Sequence, residues 1–301
     1  VLQRRITERC RIVMQDRKSL VLVAPAFAWL TAFMVVPCLL ILALAFFRRG
    51  IYGGIEYDIT FENFAMVLDP LYARIFLKSA WIAGLAALIA AVLGYAAAYA
   101  IASMPRHRQP ALLFFAILPF WSNYLVRTYA WIVLLNREGL IVGIARALGF
   151  SGEMPQMLYT EGAVVLGLVY NYLPFVILAA YAPLSRLNPE ISEASRDLGA
   201  GRWTTFRRVI LPITLPGVAT GFVFVFVLSI GNFVTPALLG GGQFQMIGNL
   251  VYDQFLSAND WPFGSALSMV LIAVMLVLLT AQTFANERAS TGRQSAEPAD
   301  G

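Results

Sequence analysis

Residues 188–216 read NPEISEASRDLGAGRWTTFRRVILPITLP. This polar stretch separates two long apolar runs, residues 162–185 and 209–252. A plain connection between packed helices takes about 2–8 residues, so a segment of this length has structure of its own. Asn188 is a good N-cap, Pro189 suits the first helical position, and Glu190 complements the positive helix end. Gly199 supplies the left-handed residue that closes a helix, which predicts a short helix over 189–198. Along it Ile191, Ala194, Ser195 and Leu198 share one narrow face with a small middle. Gly199-Ala200-Gly201 permits a flexible turn. A second helix is expected over 202–211, with Trp203, Phe206 and Ile210 on one side. Arg207 and Arg208 fall in its last turn, where positive charge is favoured, and Pro212 and Pro216 are expected to stop it. Two short helices on an elbow, apolar on one face, suit a lever seated in a groove of a partner protein. The alternative is an amphipathic pair resting on lipid headgroups.

Around this segment the chain is built for lipid. Hydrophobic residues make up 59% of its 301 positions and charged residues 13%, with a mean hydropathy of +0.71. Soluble domains carry roughly 25% charged residues. About 20 apolar residues cross a bilayer core, and the uncharged runs 20–47, 79–105, 162–185, 209–252 and 261–286 each suffice. The fourth is too long for one helix, and Gly240-Gly241-Gly242 is expected to end its span near residue 239. A further span over 110–136 is interrupted only by Arg127. The first run exceeds the 7–15 residues of a signal-peptide core and is expected to stay as a membrane helix. The fold class is therefore an all-α integral membrane protein with six transmembrane helices.

Six spans place both termini on one side. Lys and Arg number 15 on the amino-terminal arm, the tail and the loops 103–110 and 186–208, against 6 on the alternate loops. The positive-inside rule then puts both termini and the polar elbow in the cytoplasm. The pI of about 9.4 reflects this topology and requires no nucleic acid. Nine acidic residues fall on the outer loops. They either attract a cationic solute or basic partner, or simply remain where basic residues are excluded. Cys10 and Cys38 are expected in different compartments, so neither a disulfide nor a metal pair is expected.

Polar side chains within spans are costly and default to function. Asn123, Tyr124 and Arg127 fall in the third span, Tyr170, Asn171 and Tyr172 precede Pro174 in the fourth, and Asn232 precedes Pro236 in the fifth. Asn123, Tyr124, Tyr170, Asn171, Tyr172 and Asn232 are candidates to line a translocation path. The competing reading has Asn171 and Asn232 bridging helices and Arg127 packing, gating or snorkelling to the headgroups. Ala90, Gly94 and Ala98, four apart, form a small-residue face for close helix contact, within this chain or with another subunit.

The string Glu193-Ala194-Ser195, then Gly199, then Leu211-Pro212 resembles the EAA motif of the membrane subunits of ATP-binding-cassette importers, departing by Ser195 for an alanine and Val209 for an isoleucine. The stretches PFWSNYLVRTYAW (119–131), GNFVTPALLGG (231–241) and IGNLVYDQFLSANDWPFGSA (247–266) are similar to the spermidine/putrescine group of these permeases. The resemblance runs from about residue 75 to the last span. It implies a type I importer permease fold with a core over 75–286 and a coupling loop over 186–216. Residues 1–74 would add an arm, a first helix and an external loop, and 287–301 a disordered cytoplasmic tail. It implies that Glu193, Ala194, Ser195, Asp197, Leu198, Gly199, Arg202, Leu211 and Pro212 couple the chain to an ATPase subunit dimer. It further implies a second permease, usually a different chain, and an external solute-binding protein docking on loops 48–78, 137–161 and 240–260. The membrane would be the bacterial inner membrane, and the cargo a small solute such as a polyamine.

No nucleotide engine is written in the sequence. A P-loop needs Gly-Lys-Ser/Thr, and the only lysines, Lys18 and Lys78, follow Arg17 and Leu77. The chain is not expected to be an enzyme or to bind a cofactor itself; ATP and magnesium belong to the partner. A stand-alone carrier or channel is the competing class. It would carry intramembrane carboxylates for ion coupling, and the six spans hold no Asp or Glu.

Overall fold

The structure is a computed structural model that describes residues 2–50, 54–149, 155–242 and 244–294. Side chains are described from residue 23 to 284 within those ranges, so Cys10, Glu153 and the basic arm and tail lie outside them. Among the described residues the regular structure is helical apart from a two-stranded hairpin, β1 (Arg48–Arg49) paired antiparallel with β2 (Ile55–Glu56). Among the described residues, six helical segments are long and apolar enough to cross a membrane: Val23–Leu44, Pro70–Ala102, Tyr124–Ala147, Glu161–Ser185, Arg202–Ile230 and Trp261–Phe284.

Three of these make the core. Helix α3 (Pro70–Ala102) packs against α7 (Glu161–Ser185), and α10 (Leu211–Ile230) packs against both. The small-residue face settles on α7 within this chain. Ala90 and Ala98 are fully buried, and a Cβ added at Gly94 would lie 2.8 Å from Val176 Cβ and Cγ1. Small side chains let helix backbones approach where lipid offers no hydrophobic drive. Gly94→Leu is expected to overpack this seam, costing about 3 kcal/mol and lowering the melting temperature of the detergent-purified protein. An unchanged melting temperature would show that the two helices do not meet there.

Helix α3 starts well before residue 79, where the apolar run begins. Asp69 accepts the Leu71 N–H at 2.8 Å and Pro70 occupies the first helical position. The start follows the cap, and a cap need not coincide with the hydrophobic edge. Helix α1 (Leu2–Leu44) likewise outruns its span, and its described side chains are mostly exposed. It touches the last helix, α13 (Trp261–Gln294), and is anchored where Asn63 of α2 (Glu62–Val67) donates to the Ala45 and Phe47 carbonyls. Helix α13 passes residue 286, the expected end of its span, and continues to Gln294.

Two expected spans are broken. The third is not one helix over 110–136. Helix α4 (Gln109–Ile117) ends in a 3-10 turn at Leu118–Trp121, Ser122 is extended, and α5 (Tyr124–Leu135) restarts, followed by α6 (Leu140–Ala147). Pro119 has no N–H to continue the helix, Ser122 Oγ donates to the Pro119 carbonyl at 2.7 Å, and Asn123 caps the restart. The fifth span ends at Ile230 and not near 239, because Gly231–Phe233 interrupt it before α11 (Val234–Leu239). Asn232 Oδ1 accepts the Thr235 N–H at 2.9 Å, a local bond that competes with the helical ladder.

Among the described residues, three of the acidic residues expected on the outer side pair with the chain's own bases. Glu62 meets Arg48 at 2.6 Å, Glu161 meets Lys78 at 2.7 Å, and Asp260 meets Arg49 at 3.6 Å. Arg49 also donates to the Ala258 carbonyl, tying the hairpin to the turn between α12 (Ile247–Leu256) and α13. The Lys78–Glu161 and Arg49–Asp260 pairs link segments that are distant in sequence.

Candidate functional site

The polar elbow folds as its caps dictate. Helix α8 (Pro189–Asp197) begins with Asn188 Oδ1 accepting the Glu190 N–H at 3.1 Å, while Asn188 Nδ2 donates to the Glu190 carboxylate at 2.9 Å. It ends with Gly199 at φ +81°, whose N–H bonds the Arg196 carbonyl at 2.9 Å while Ala200 N–H bonds the Ser195 carbonyl at 3.1 Å. These two bonds are a Schellman closure.

The turn is not a loose joint. Ser195 Oγ and Thr205 Oγ1 hydrogen-bond at 3.1 Å, fastening α8 to α9 (Arg202–Thr205). The serine that departs from the family's alanine is therefore the latch between the two short helices. Thr205 carried no signal of this role, since its partner lies ten residues away and follows neither helical nor strand period.

The second short helix does not stop at the prolines. It passes through a π turn, Phe206–Ile210, straight into α10, so that Arg202–Ile230 is one helical run. A proline in a helix clashes with the carbonyl four residues back, and a wider π turn just ahead of Pro212 gives that carbonyl room. Leu211 packs partly buried against Tyr95, Ala98 and their neighbours, and Pro212 is exposed.

Most of the elbow's surface is unused by this chain. Glu193, Ala194, Asp197, Gly199 and Arg202 are exposed, Leu198 is 90% exposed and Trp203 70%. The shared face expected for Ile191, Ala194, Ser195 and Leu198 does not act as one surface. Ser195 turns inward to Thr205 while Ile191 and Leu198 face out. Large apolar side chains set among charges on a short loop mark an interaction surface better than scattered ones do.

The intramembrane candidates divide. Tyr124, Tyr172 and Asn232 come together: Asn232 Nδ2 donates to the Tyr124 hydroxyl at 2.5 Å and to the Tyr172 hydroxyl at 2.6 Å. The Tyr124 hydroxyl also bonds Thr235 Oγ1. One asparagine thus joins α5, α7 and the break before α11. Thr235 joins this cluster, and the spacing Asn232-x-x-Thr235 was its only trace in the sequence.

The others stand apart. Asn123 is exposed and caps α5, accepting the Leu125 N–H at 2.8 Å. Tyr170 turns away to meet Trp131 edge-on at 5.4 Å. Asn171 is 1% exposed and neither side-chain polar atom has a partner among the described residues. Arg127 does not snorkel. It is 7% exposed, with its guanidinium carbon 5.3 Å from the Phe120 ring centroid and 5.9 Å from that of Tyr124. Cation–π contact of this kind stabilises a desolvated guanidinium by about 2 kcal/mol, and it braces the bend between α4 and α5. Among the described residues no group of three or more His, Cys, Asp or Glu side chains is placed to hold a metal ion.

Known proteins are similar to this chain in sequence and in fold. The chain is 36% identical to the spermidine/putrescine transport system permease protein PotB of Haemophilus influenzae over 275 residues, 91% of this chain and 96% of that one. It is 38% identical to the protein of the same name from Escherichia coli K12 over 251 residues, 83% of this chain and 91% of that one. Its fold superposes on a chain of the bacterial alginate ABC transporter, solved with a pentasaccharide-bound periplasmic protein. The TM-score is 0.72 at 17% identity, covering 92% of this chain and 96% of that one. The profile of binding-protein-dependent transport system inner membrane components matches residues 104–290, which include the elbow and the Asn232 cluster. With six helices able to span a bilayer, this chain belongs to that family of inner-membrane transport permeases.

Proposed function

We propose that this chain is one permease subunit of an ATP-binding-cassette importer that brings a polyamine, such as spermidine or putrescine, into the cell. Hydrolysis of ATP with magnesium belongs to a separate pair of ATPase subunits. A second permease completes the pore, and an extracytoplasmic solute-binding protein delivers the solute to the outer loops. Both termini and the elbow lie in the cytoplasm, in keeping with the excess of Lys and Arg on those segments. The polyamine rests on the relatives named for spermidine/putrescine transport.

The observation that carries the reading is mechanical. A latched elbow with Leu198 and Trp203 exposed is continuous, through the π turn, with a helix that enters the three-helix core. A partner that grips the elbow through Glu193, Ala194, Leu198 and Gly199 moves α10 directly. Packed cores shift between discrete arrangements and do not deform smoothly, so such a push yields alternating access. Tyr124, Tyr172 and Asn232 stand beside the path as a clasp that fixes its wall, because their polar atoms engage each other.

The test is reconstitution of the chain with its second permease, ATPase and solute-binding protein in vesicles. Radiolabelled spermidine is expected to enter only with ATP and the binding protein present. Solute flux through this chain alone, without ATP, would falsify the importer reading. A carboxy-terminal reporter active only in the cytoplasm checks the orientation separately.

A further inference from the structure

We infer that Tyr95 is a positioning residue, the fulcrum on which movement of the elbow is converted into movement of α10. The inference rests on the importer reading above and deepens it. Within the helical run Arg202–Ile230 the one departure from α geometry is the π turn at Phe206–Ile210. A wide turn is where a helix bends most readily. The features on its two sides differ.

Beyond the turn, the helix is pinned. Thr214 is fully buried, and its hydroxyl donates back to the Ile210 carbonyl at 2.9 Å. That donation leaves its oxygen to accept from the Tyr95 hydroxyl, 2.9 Å away. Tyr95 follows Gly94, where a Cβ would lie 2.8 Å from Val176 of α7, so the pin stands beside a close-packed α3–α7 seam of the core.

Before the turn and at its first residue, the helix has room. Phe206 rests on the rings of Tyr99 and Tyr95, at 5.3 and 6.0 Å, and stacks on Trp203 at 5.5 Å. Alongside lies an open groove of about 620 Å³, lined by Val92, Tyr95, Ala96, Tyr99, Arg202 and Trp203 together with Phe206. The Trp203–Phe206 stack can sweep across this groove while Thr214 stays tethered. Displacement of the latched elbow then emerges as rotation of α10 about Thr214. Without the Tyr95–Thr214 bond, the same displacement dissipates as slippage of α10 along α3.

The measurement is solute transported per ATP hydrolysed by the complete reconstituted importer. Tyr95→Phe keeps the ring and removes only the bond. It is expected to lower this ratio about fivefold, the fold-change matching a hydrogen bond of about 1 kcal/mol, while ATPase activity persists. Thr214→Ser keeps the hydroxyl and is expected to hold the wild-type ratio. Thr214→Val tests the bond from its other side, should Tyr95→Phe fail to assemble, and the double variant is expected to be no worse than the lower single.

A role confined to stability would reduce transport and hydrolysis together and leave the ratio unmoved, which would overturn the inference. So would a ratio lost equally in Thr214→Ser. A wild-type complex that moves no solute with ATP sinks the importer reading itself, and that result is read without any variant.

Discussion

Gly199→Val is expected to cost the permease the proposed ATPase partner while leaving the chain folded. Gly199 sits at φ +81°, where a β-branched residue is a steric outlier, and the left-handed conformation costs an ordinary L-residue about 1–2 kcal/mol. A Cβ there meets nothing within 4 Å, so the chain itself offers no clash and the core is untouched. What yields is the Schellman closure, and with it the placement of Leu198 and of the latch between Ser195 and Thr205. A displacement that removes about 1.4 kcal/mol from docking lowers affinity about tenfold. The ATPase recovered with a tagged permease should fall by that order or more, with the melting temperature of the purified permease unchanged. Gly199→Asn, whose side chain tolerates the left-handed region, should retain most of the partner. Full recovery of the ATPase with Gly199→Val would mean that docking lies elsewhere.

Asn232→Leu should be nearly as damaging, through the fold. The substitution deletes both donors to Tyr124 and Tyr172 and the acceptor for the Thr235 N–H. At about 1 kcal/mol for each bond, the loss is roughly 3 kcal/mol, concentrated where α5, α7 and α11 meet. The melting temperature in detergent should drop, and uptake should fall with the amount of folded subunit. Asn232→Asp separates geometry from identity. A carboxylate still accepts the Thr235 N–H and accepts from the tyrosine hydroxyls, but burying its charge costs stability, so this variant is expected to melt between Asn232→Leu and wild type. If Asn232→Leu melts like wild type, the clasp contributes nothing to holding these helices.

Much of the elbow was legible locally. Asn188, Pro189 and Gly199 are cap signals that act over a few residues, and the structure places the first helix within one residue of the expected end. Pro212 and Pro216 read as breakers of the second helix, whereas in the structure a π turn before them carries the helix through. Nothing in a residue-by-residue propensity announces a π turn, which depends on what the neighbouring helix demands. The same holds for the third and fifth spans. Their apolar content showed that the chain stays in lipid, but the breaks at Ser122–Asn123 and Gly231–Phe233 rest on side-chain bonds made at those points. Of the six intramembrane candidates, only Tyr124, Tyr172 and Asn232 share a cluster. Adjacent residues such as Tyr170, Asn171 and Tyr172 point in different directions around a helix.

Composition and charge order alone determined that this chain is a membrane protein of six apolar helical segments carrying one polar elbow, and its local motif determined the family resemblance. Those properties are set by transfer of apolar side chains into lipid and by caps a few residues long. Tertiary structure alone decided that Ser195 latches to Thr205, that Gly94 seats α3 on α7, that Arg127 lies on aromatic rings, and that Tyr95 holds Thr214. Each of these joins residues far apart along the chain or across a turn, and such contacts exist only once packing has brought the helices to within a side chain's reach.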